Sequence, residues 1–259
     1  MSRPVLRYYD IAPEVTAFST MRRGGCGSGA YGSFNINEYC GDDPAAVAEN
    51  RRMLCEELGI CDGNIIIPHQ THGTVVRRIA GEFMSLSPAS RGMLLESVDA
   101  VMTDVRGVCV GVSTADCIPV LLYDAAHGAC CAVHAGWRGT VARIVEHAVD
   151  EMHAHYGTTA AGLTAVIGPG ISAEAFEVGD EVYEAFAREG FPMTRIARRY
   201  NKWHIDLWEC NRMQMISQGV LPDRISIEGT CTYMHCNEYF SARRLGTASG
   251  RIFTGIMIR

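Results

Sequence analysis

One segment with the pattern of a β-hairpin, ADCIPVLLYDAAHGACCAVHAGW (115–137), has a cysteine near its start and a histidine near its end. Its two apolar runs flank Ala125-Ala126-His127-Gly128, which is typical of a turn. Pairing the runs symmetrically sets residue 124 opposite 129, 122 opposite 131 and 119 opposite 134. Cys117 then shares a sheet face with His134 as a diagonal neighbour, ~7–8 Å away at Cα. A slip of one residue would put them on opposite faces.

The loop PHQTHG (68–73) offers a third donor, because it carries His69 and His72 between two predicted strands. One Cys and two His suit Zn²⁺, and three protein ligands leave a fourth position for water, as in catalytic zinc sites. Such a metal would make water a nucleophile near neutral pH. Copper also binds His and Cys ligands. Spacing alone leaves open the plainer interpretation, in which Cys117 is a small hydrophobe of the core.

The elements that position these residues begin with helices, predicted where an apolar stripe starts at a capping residue and stops at glycine. In DDPAAVAENRRMLCEELGI, Asp43 can cap the helix, Pro44 suits its first position and Gly59 ends the pattern. The other predicted helices cover 140–157, about 180–189 and a segment that starts at a capping box on Asp206.

Strands are predicted from short runs of apolar residues between these helices. They lie near 65–67, 74–79, 99–104, 108–113, 118–124, 129–134, 163–168, 225–229 and 251–258. Residues 81–97 have the pattern of a surface insertion, and no linker or repeat divides the chain. Consecutive strands mixed with helices predict a single α+β domain over residues 1–259, with mixed pairing in its sheet.

Composition narrows the class of protein. A formal net charge of -6 gives no broad basic face, which disfavours nucleic acid as the main partner. Eleven cysteines at irregular spacing do not resemble a secreted disulfide framework, so most are expected to be reduced and buried. The N-terminus has no apolar signal-peptide core, and no stretch reaches the ~18 apolar residues that span a bilayer. We expect a cytoplasmic protein with no membrane partner; the oligomeric state is left open.

Motifs along nearly the whole chain resemble one known family. They are FSTMRRGG (18–25), SFNI (33–36), GDDPAAVAENR (41–51), HQTHG (69–73), DAVMTD (99–104), STADCIPVLLYD (113–124), AVHAGWRGT (132–140), IGPGIS (167–172), EVGDEV (177–182) and CTYMHCNEYFSARR…GR (231–251). The resemblance is to the YfiH family, also called the laccase-domain or polyphenol-oxidase family. ADC and HAGWRGT are specific as a pair. The chain departs from the family pattern at Ala242, where a Tyr is usual, and at Cys26-Gly27.

The resemblance implies a layered α/β/β/α fold with mixed β-sheets, similar to the catalytic domain of cytotoxic necrotizing factor toxins. It also implies one zinc ion held by His72, Cys117 and His134. The implied reactions are phosphorolysis of adenosine, inosine and methylthioadenosine, together with deamination of adenosine. A purine nucleoside and phosphate would then be the small-molecule partners. The family has been linked to editing of peptidoglycan precursors as well.

These reactions suggest roles for further residues. Deamination needs a proton shuttle, and Asp116 beside Cys117 has the right chemistry, although Asp is equally at home in a turn. Phosphorolysis needs an anion site, and Arg138 is favoured because it lies four residues after His134. The other expected substrate-binding residues are Arg22, Arg243, Asn35 and Gln70.

Three alternative functions use the same residues. A multicopper laccase needs several copper centres, but the one His-x-His pair, His153 and His155, lies on a predicted helix where alternate side chains point apart. Laccase activity is therefore disfavoured, although adventitious copper could give some. A metal-free hydrolase would use Cys117 as nucleophile and His134 as base. A structural zinc site would need a fourth ligand, for which His69 is the obvious candidate.

Overall fold

Runs of strands are interspersed with helices through the described residues, 2–259, of the computed structural model. The strands are β1 (Leu6–Tyr9), β2 (Val15–Thr20), β3 (Ile65–Ile66), β4 (Val76–Ile79), β5 (Ala100–Thr103), β6 (Cys109–Thr114), β7 (Ile118–Asp124), β8 (Ala129–Ala135), β9 (Leu163–Ile167), β10 (Glu177–Val178), β11 (Ala197–Arg199), β12 (Trp203–Ile205), β13 (Ile225–Ile227) and β14 (Ile252–Ile258). The helices are α1 (Pro44–Leu58), α2 (Gly81–Met84), α3 (Pro88–Leu95), α4 (Trp137–Val141), α5 (Ile144–Tyr156), α6 (Asp180–Arg188), α7 (Met193–Ile196), α8 (Leu207–Ser217) and α9 (Ala242–Leu245). None of the helices in this part of the chain is long and apolar enough to cross a bilayer.

Two mixed sheets form the centre of the fold. One has the strand order β1-β2-β14-β6-β3 and the other the order β13-β9-β7-β8-β5-β4. Most neighbours are antiparallel, but β3 runs parallel to β6, β4 to β5 and β13 to β9. A small third sheet has the order β10-β12-β11. The predicted mixed pairing is therefore confirmed.

The layers follow from the alternation of side chains along β7. Leu121 packs between the two large sheets, where it shares a core with Val112 and Ile256 of the five-stranded sheet. Leu122 points to the opposite face and shares a second core with Ile144 of α5. Because both faces of this sheet are covered, its central strands are apolar at nearly every position.

The outer face of the five-stranded sheet is covered by α1, whose Leu54 lies in one cluster with Phe18 and Phe253. The order of layers is helix, sheet, sheet, helix, as expected. The ends of α1 also agree with the prediction. The Asp43 carboxylate accepts the backbone N–H of Ala45 at 3.1 Å, and Gly59 ends the helix with a φ of 68°.

The helix predicted over 140–157 is wrong as one continuous element, because the chain breaks it at Arg143. This residue has a φ of 63° and separates α4 from α5. Its side chain explains the break: Nη2 donates to the carbonyl of Glu189 at 2.8 Å, and the guanidinium lies 4.0 Å from the ring centroid of Phe191. These contacts between distant segments outweigh the local helical pattern.

The interpretation of 81–97 as a surface insertion is also incomplete. The segment holds α2 and α3, and Phe83 and Leu95 are buried in the core between the sheets. Ser87 caps α3 by accepting the N–H of Ser90 at 3.2 Å, and Pro88 occupies its first position. Other residues of the segment do face solvent, such as Met93, which is 81% exposed.

Candidate metal centre

The register of the β7–β8 hairpin agrees with the prediction at each expected pair. Asp124 lies opposite Ala129, Leu122 opposite Cys131 and Pro119 opposite His134. Cys117 lies just before β7, at the open end of the hairpin. The cysteine and His134 therefore meet on one side of the six-stranded sheet, where loops enter and leave it.

His72 reaches the open end of the hairpin because the loop between β3 and β4 is hydrogen-bonded to one buried carboxylate. Asp99 accepts the backbone N–H groups of Thr71 at 3.2 Å, His72 at 2.9 Å and Gly73 at 2.7 Å. His72 has a φ of 64°, a left-handed conformation that costs a non-glycine residue free energy. The hydrogen bonds to Asp99 stabilise this turn, which directs the imidazole toward the hairpin.

The side chains of His72, Cys117 and His134 converge on one point. One ligand atom from each lies within 4.8 Å of the other two, and within residues 2–259 no other group of three His, Cys, Asp or Glu meets this condition. The Cys117 sulfur is 3.8 Å from His72 Nε2. The two imidazole rings are 4.9 Å apart between centroids and inclined at 68°. This set of two imidazoles and one thiol can hold a metal ion.

Asp99 also orients His134, and it is a functional residue that sequence reasoning missed. Its Oδ1 lies 2.7 Å from His134 Nδ1, and both side chains are buried. The bond occupies Nδ1 and leaves Nε2 free to bind a metal, the usual pairing of a carboxylate with a histidine ligand. Burial would raise the pKa of Asp99, but the hydrogen bond from His134 and the loop amides hold it below its usual value.

The site also shifts the pKa values of two of its three side chains. Burial opposes ionisation of Cys117, yet the neighbouring His134 and His72 rings outweigh it and lower the pKa of the thiol. Burial likewise opposes protonation of His134, but Cys117 and Asp99 raise its pKa. A thiolate is the form of cysteine that binds metals and also the form that attacks carbon.

Gly136 leaves the space in which the ligands meet. A Cβ at this position would lie 2.7 Å from His72 Cδ2 and 3.1 Å from the Cys117 sulfur. Its φ of -67° suits any residue, so the requirement is for space alone. Overpacking costs about 1–3 kcal/mol, and we expect Gly136→Ala to lower metal affinity by ~10-fold or more in a competition titration with a chelator. Gly81→Ala is the control, since its Cβ meets no atom within 4 Å; equal affinity in both variants would contradict the account.

The three side chains open onto a cavity of about 270 Å³. The other residues that line it are Asn37, Tyr39, Cys40, His69, Gln70, Ser113, Thr114, Ala115, Ala242, Thr247 and Arg251. His69 lies outside the ligand group: its Nδ1 is 2.8 Å from Glu96, and its ring stacks on Tyr39 with centroids 4.4 Å apart. Among residues 2–259 the group therefore has three protein ligands. In a catalytic zinc centre the fourth position is left open for water or substrate.

Two of the predicted substrate-binding residues lie near the cavity but use their side chains for the fold. The Gln70 side-chain amide donates to the Ser113 carbonyl at 2.8 Å and accepts the Ser113 N–H at 2.7 Å. It thus pairs with the backbone of β6 as a residue of a neighbouring strand would. Asn35 is fully buried, donates to Asp42 at 2.9 Å and accepts the backbone N–H of Arg251 at 3.1 Å. Both amides therefore hold the fold together, and their roles in substrate binding stay predictions.

The three predicted arginines do not line the cavity. Arg22 binds the carbonyls of Gly32 at 2.7 Å and Cys236 at 2.8 Å, so it joins two loops. Arg138 is exposed and lies over the ring of its neighbour Trp137, and Arg243 donates to the carbonyl of Glu177. Arg138 lies four residues after His134 in the sequence, but it stands on α4 and outside the cavity lining. Phosphate binding by them stays an untested expectation that the function proposed here does not use.

Asp116, the expected proton shuttle, also does not line the cavity. It is 9% exposed, with a φ of 89°, and its carboxylate accepts the Thr232 hydroxyl and the Arg243 backbone N–H, each at 2.7 Å. These bonds tie the 231–244 segment to the turn that carries Cys117. The geometry fits the alternative interpretation of Asp116 as a turn residue, and the catalytic role stays a prediction.

The histidine pair considered for copper is separated. His153 Nδ1 bonds to the carbonyl of Thr158 at 2.9 Å, whereas His155 Nε2 pairs with Glu151 at 3.2 Å. In the part of the chain that the structure describes, the ligand set for a multicopper cluster is therefore not assembled.

Comparisons with known proteins agree with this architecture. Residues 16–259 match a family model described as multi-copper polyphenol oxidoreductase laccase. A purine nucleoside phosphorylase of Bacteroides thetaiotaomicron is 48% identical, over 95% of this chain and 92% of that protein. Adenosine deaminase RL5, from an unknown prokaryotic organism, is 41% identical over 93% of both chains. The crystal structure of a Bacillus licheniformis hypothetical protein YfiH superposes with a TM-score of 0.92 at 26% identity, covering 99% of this chain and 97% of that one. The chain therefore belongs to the YfiH, or laccase-domain, family.

Proposed function

We propose that this protein is a purine nucleoside phosphorylase that acts on adenosine, inosine and methylthioadenosine and also deaminates adenosine. The observation that carries the proposal is the convergence of His72, Cys117 and His134 at the mouth of a cavity. The volume of this cavity, about 270 Å³, is just below the ~300–1,000 Å³ typical of small-molecule sites. The similarity to a named phosphorylase and a named deaminase supports both reactions.

Zinc is the metal that these donors favour, because one thiolate and two imidazoles match its usual ligands and leave one position open. When bound, zinc would supply a Lewis acid that brings the pKa of water close to neutral. Residues of the protein position the metal ligands. Asp99 fixes the orientation of His134, and Gly136 keeps the meeting point of the ligands clear.

The walls of the cavity suit a nucleoside. Tyr39 and His69 form a stacked aromatic pair in its lining, a surface on which a purine can pack. Asn37 adds a polar side chain for the edges of the base or the sugar. The partly open cavity admits a ligand from solvent while covering much of its surface.

Product analysis tests the proposal. Purified protein is incubated with adenosine in the presence and absence of inorganic phosphate, and ribose 1-phosphate, adenine and inosine are quantified. Ribose 1-phosphate and adenine are expected only with phosphate, and inosine under both conditions. Release of adenine together with free ribose, at equal rates in both conditions, would overturn the phosphorylase assignment.

A metal-free hydrolase is the second candidate, favoured by the opposite pKa shifts of Cys117 and His134. A cysteine nucleophile is activated in the same way, by a lowered thiol pKa beside a histidine that can act as base. Alkylation separates the two functions. If the sulfur binds zinc, iodoacetamide labels Cys117 slowly until a chelator is added, whereas a free nucleophile reacts at once in the protein as purified.

Ala242 lines this cavity at a position where the family pattern has the larger side chain of Tyr. Ala242→Tyr is expected to raise the KM for methylthioadenosine by about 10-fold and that for adenosine less, because the longer 5′ substituent needs more room. Zinc content should be unchanged, since Ala242 contacts the cavity and is outside the ligand group. Steady-state kinetics with both nucleosides check this, and equal KM changes for the two would contradict it.

A further inference from the structure

One guanidinium lines the cavity of the metal centre, and it belongs to Arg251. The side chain is half-buried. Among residues 2–259 no carboxylate lies within the 4.0 Å that would make an ion pair with it. Because no carboxylate neutralises it, the guanidinium keeps its full positive charge inside the cavity, and that charge favours an anionic ligand.

The guanidinium is held in place by the backbone of the 247–250 loop. Nη1 donates to the carbonyls of Ser249 at 2.6 Å and Gly250 at 3.0 Å, and Nη2 donates to that of Thr247 at 3.0 Å. Nε has no acceptor within the described chain. These bonds fix the head group but leave its charge uncompensated, and a free Nε–H beside an Nη2–H is the fork that binds two oxygens of a phosphate.

One hydroxyl from the neighbouring strand adds to the group. Ser113 and Thr114 of β6 line the same cavity, and both are more than nine-tenths buried. Neither hydroxyl has a hydrogen-bond partner among residues 2–259. Side chains alternate along β6, and Phe253 of β14 lies opposite Ser113, so Arg251 shares a sheet face with Ser113 whereas Thr114 points to the other face. A buried hydroxyl without a partner costs free energy, which a ligand with several acceptor oxygens would recover.

We propose that Arg251 and Ser113 form the subsite for inorganic phosphate. This inference rests on the proposed function and locates its second substrate, in place of the three arginines expected from the sequence. An oxygen of hydrogen phosphate forms the new bond to ribose C1′ as the C1′–N9 bond breaks. The electron pair of that bond stays on N9 of the purine, and the proton lost by the phosphate ends on the purine. Arg251 holds the phosphate and takes no proton, because guanidinium stays charged.

Arg251→Gln tests the subsite, and Arg91→Gln is its matched control. Arg91 also donates to three backbone carbonyls, those of Gly63, Met84 and Leu86, but it does not line this cavity. We expect Arg251→Gln to raise the KM for phosphate about 10- to 100-fold, the usual loss for a charged bidentate contact. The KM for adenosine should change less than about threefold. Arg251→Lys should recover part of the phosphate affinity, because it restores the charge without the fork.

Ser113→Ala guards against a folding defect in the Arg251 variants, and Thr114→Val, on the opposite face of the strand, is its control. Each removes one hydroxyl that bonds nothing in the protein, so zinc content and the melting temperature should stay unchanged in both. Only Ser113→Ala should raise the KM for phosphate. Equal increases in the KM for both substrates, or an unchanged KM for phosphate in Arg251→Gln, would overturn the inference.

Equilibrium dialysis with radiolabelled phosphate separates this inference from the proposed function. Wild-type protein should bind phosphate, and Arg251→Gln should bind it at least about 10-fold more weakly. Absence of binding to the wild type, or equal binding by the variant, would overturn the subsite. Normal binding with no ribose 1-phosphate formed would instead overturn the phosphorylase assignment and leave the anion site standing.

Discussion

Cys117→Ala is expected to lose the bound metal and at least about 99% of adenosine phosphorolysis, roughly 2.7 kcal/mol of transition-state stabilisation. The variant keeps both imidazoles but removes the only sulfur in the ligand group. Two histidines alone bind zinc far more weakly than two histidines with a thiolate. Zinc content and kcat/KM for adenosine measure the two losses separately.

Cys236→Ala is the matched control for this change. It removes a partly exposed thiol that lies outside the cavity lining, so zinc content and activity should stay within about twofold of the wild type. Phosphorolysis at the full rate in Cys117→Ala would contradict the role of the sulfur. Loss of activity with zinc retained would support the nucleophile role instead.

Asp99→Asn should give the second largest effect, because this carboxylate serves two ligands. Oδ1 accepts from the His72 amide and from His134, while Oδ2 accepts from the amides of Thr71 and Gly73. An asparagine has one accepting atom, and its NH₂ group would face two donors. We expect a loss of about 1–3 kcal/mol in the free energy of unfolding and ~10- to 100-fold weaker zinc binding.

Asp124→Asn separates the two effects of the Asp99 change. Asp124 is also buried and also bonds a histidine, with its Oδ2 2.7 Å from His127 Nδ1 at the far end of the hairpin. We expect this control to lower the melting temperature while zinc affinity stays at the wild-type value. Competition titration with a chelator measures that affinity. If both variants bind zinc equally well, the account of Asp99 as the residue that orients His134 is wrong.

The hairpin was predictable because one local signal fixed it. The turn at 125–128 sets the register, and with a period of two that register determines which side chains share the face of Cys117. The caps of α1 and the layered order of the sheets follow from equally local patterns and from the resemblance to the family. The structure places His72 beside Cys117 and His134, whereas His69 pairs with Glu96.

The residues that sequence reasoning missed act across distant segments. Asp99 was visible only as the start of a strand. Its role depends on β5 pairing with β8, which brings it beside His134, and on the loop that wraps around its carboxylate. Arg251 reaches the cavity through the pairing of β14 with β6, a contact between the end of the chain and its middle. Arg138 was favoured by sequence distance alone, and the break between strand and helix removes it from the cavity.

Metal analysis of wild-type protein purified without added metal tests the central claim most directly. Inductively coupled plasma mass spectrometry on the wild type and on Cys117→Ala, prepared in parallel, should find close to one zinc ion per chain in the first and almost none in the second. An active wild type free of zinc, or a Cys117→Ala variant that retains the full amount, would contradict a shared metal at His72, Cys117 and His134.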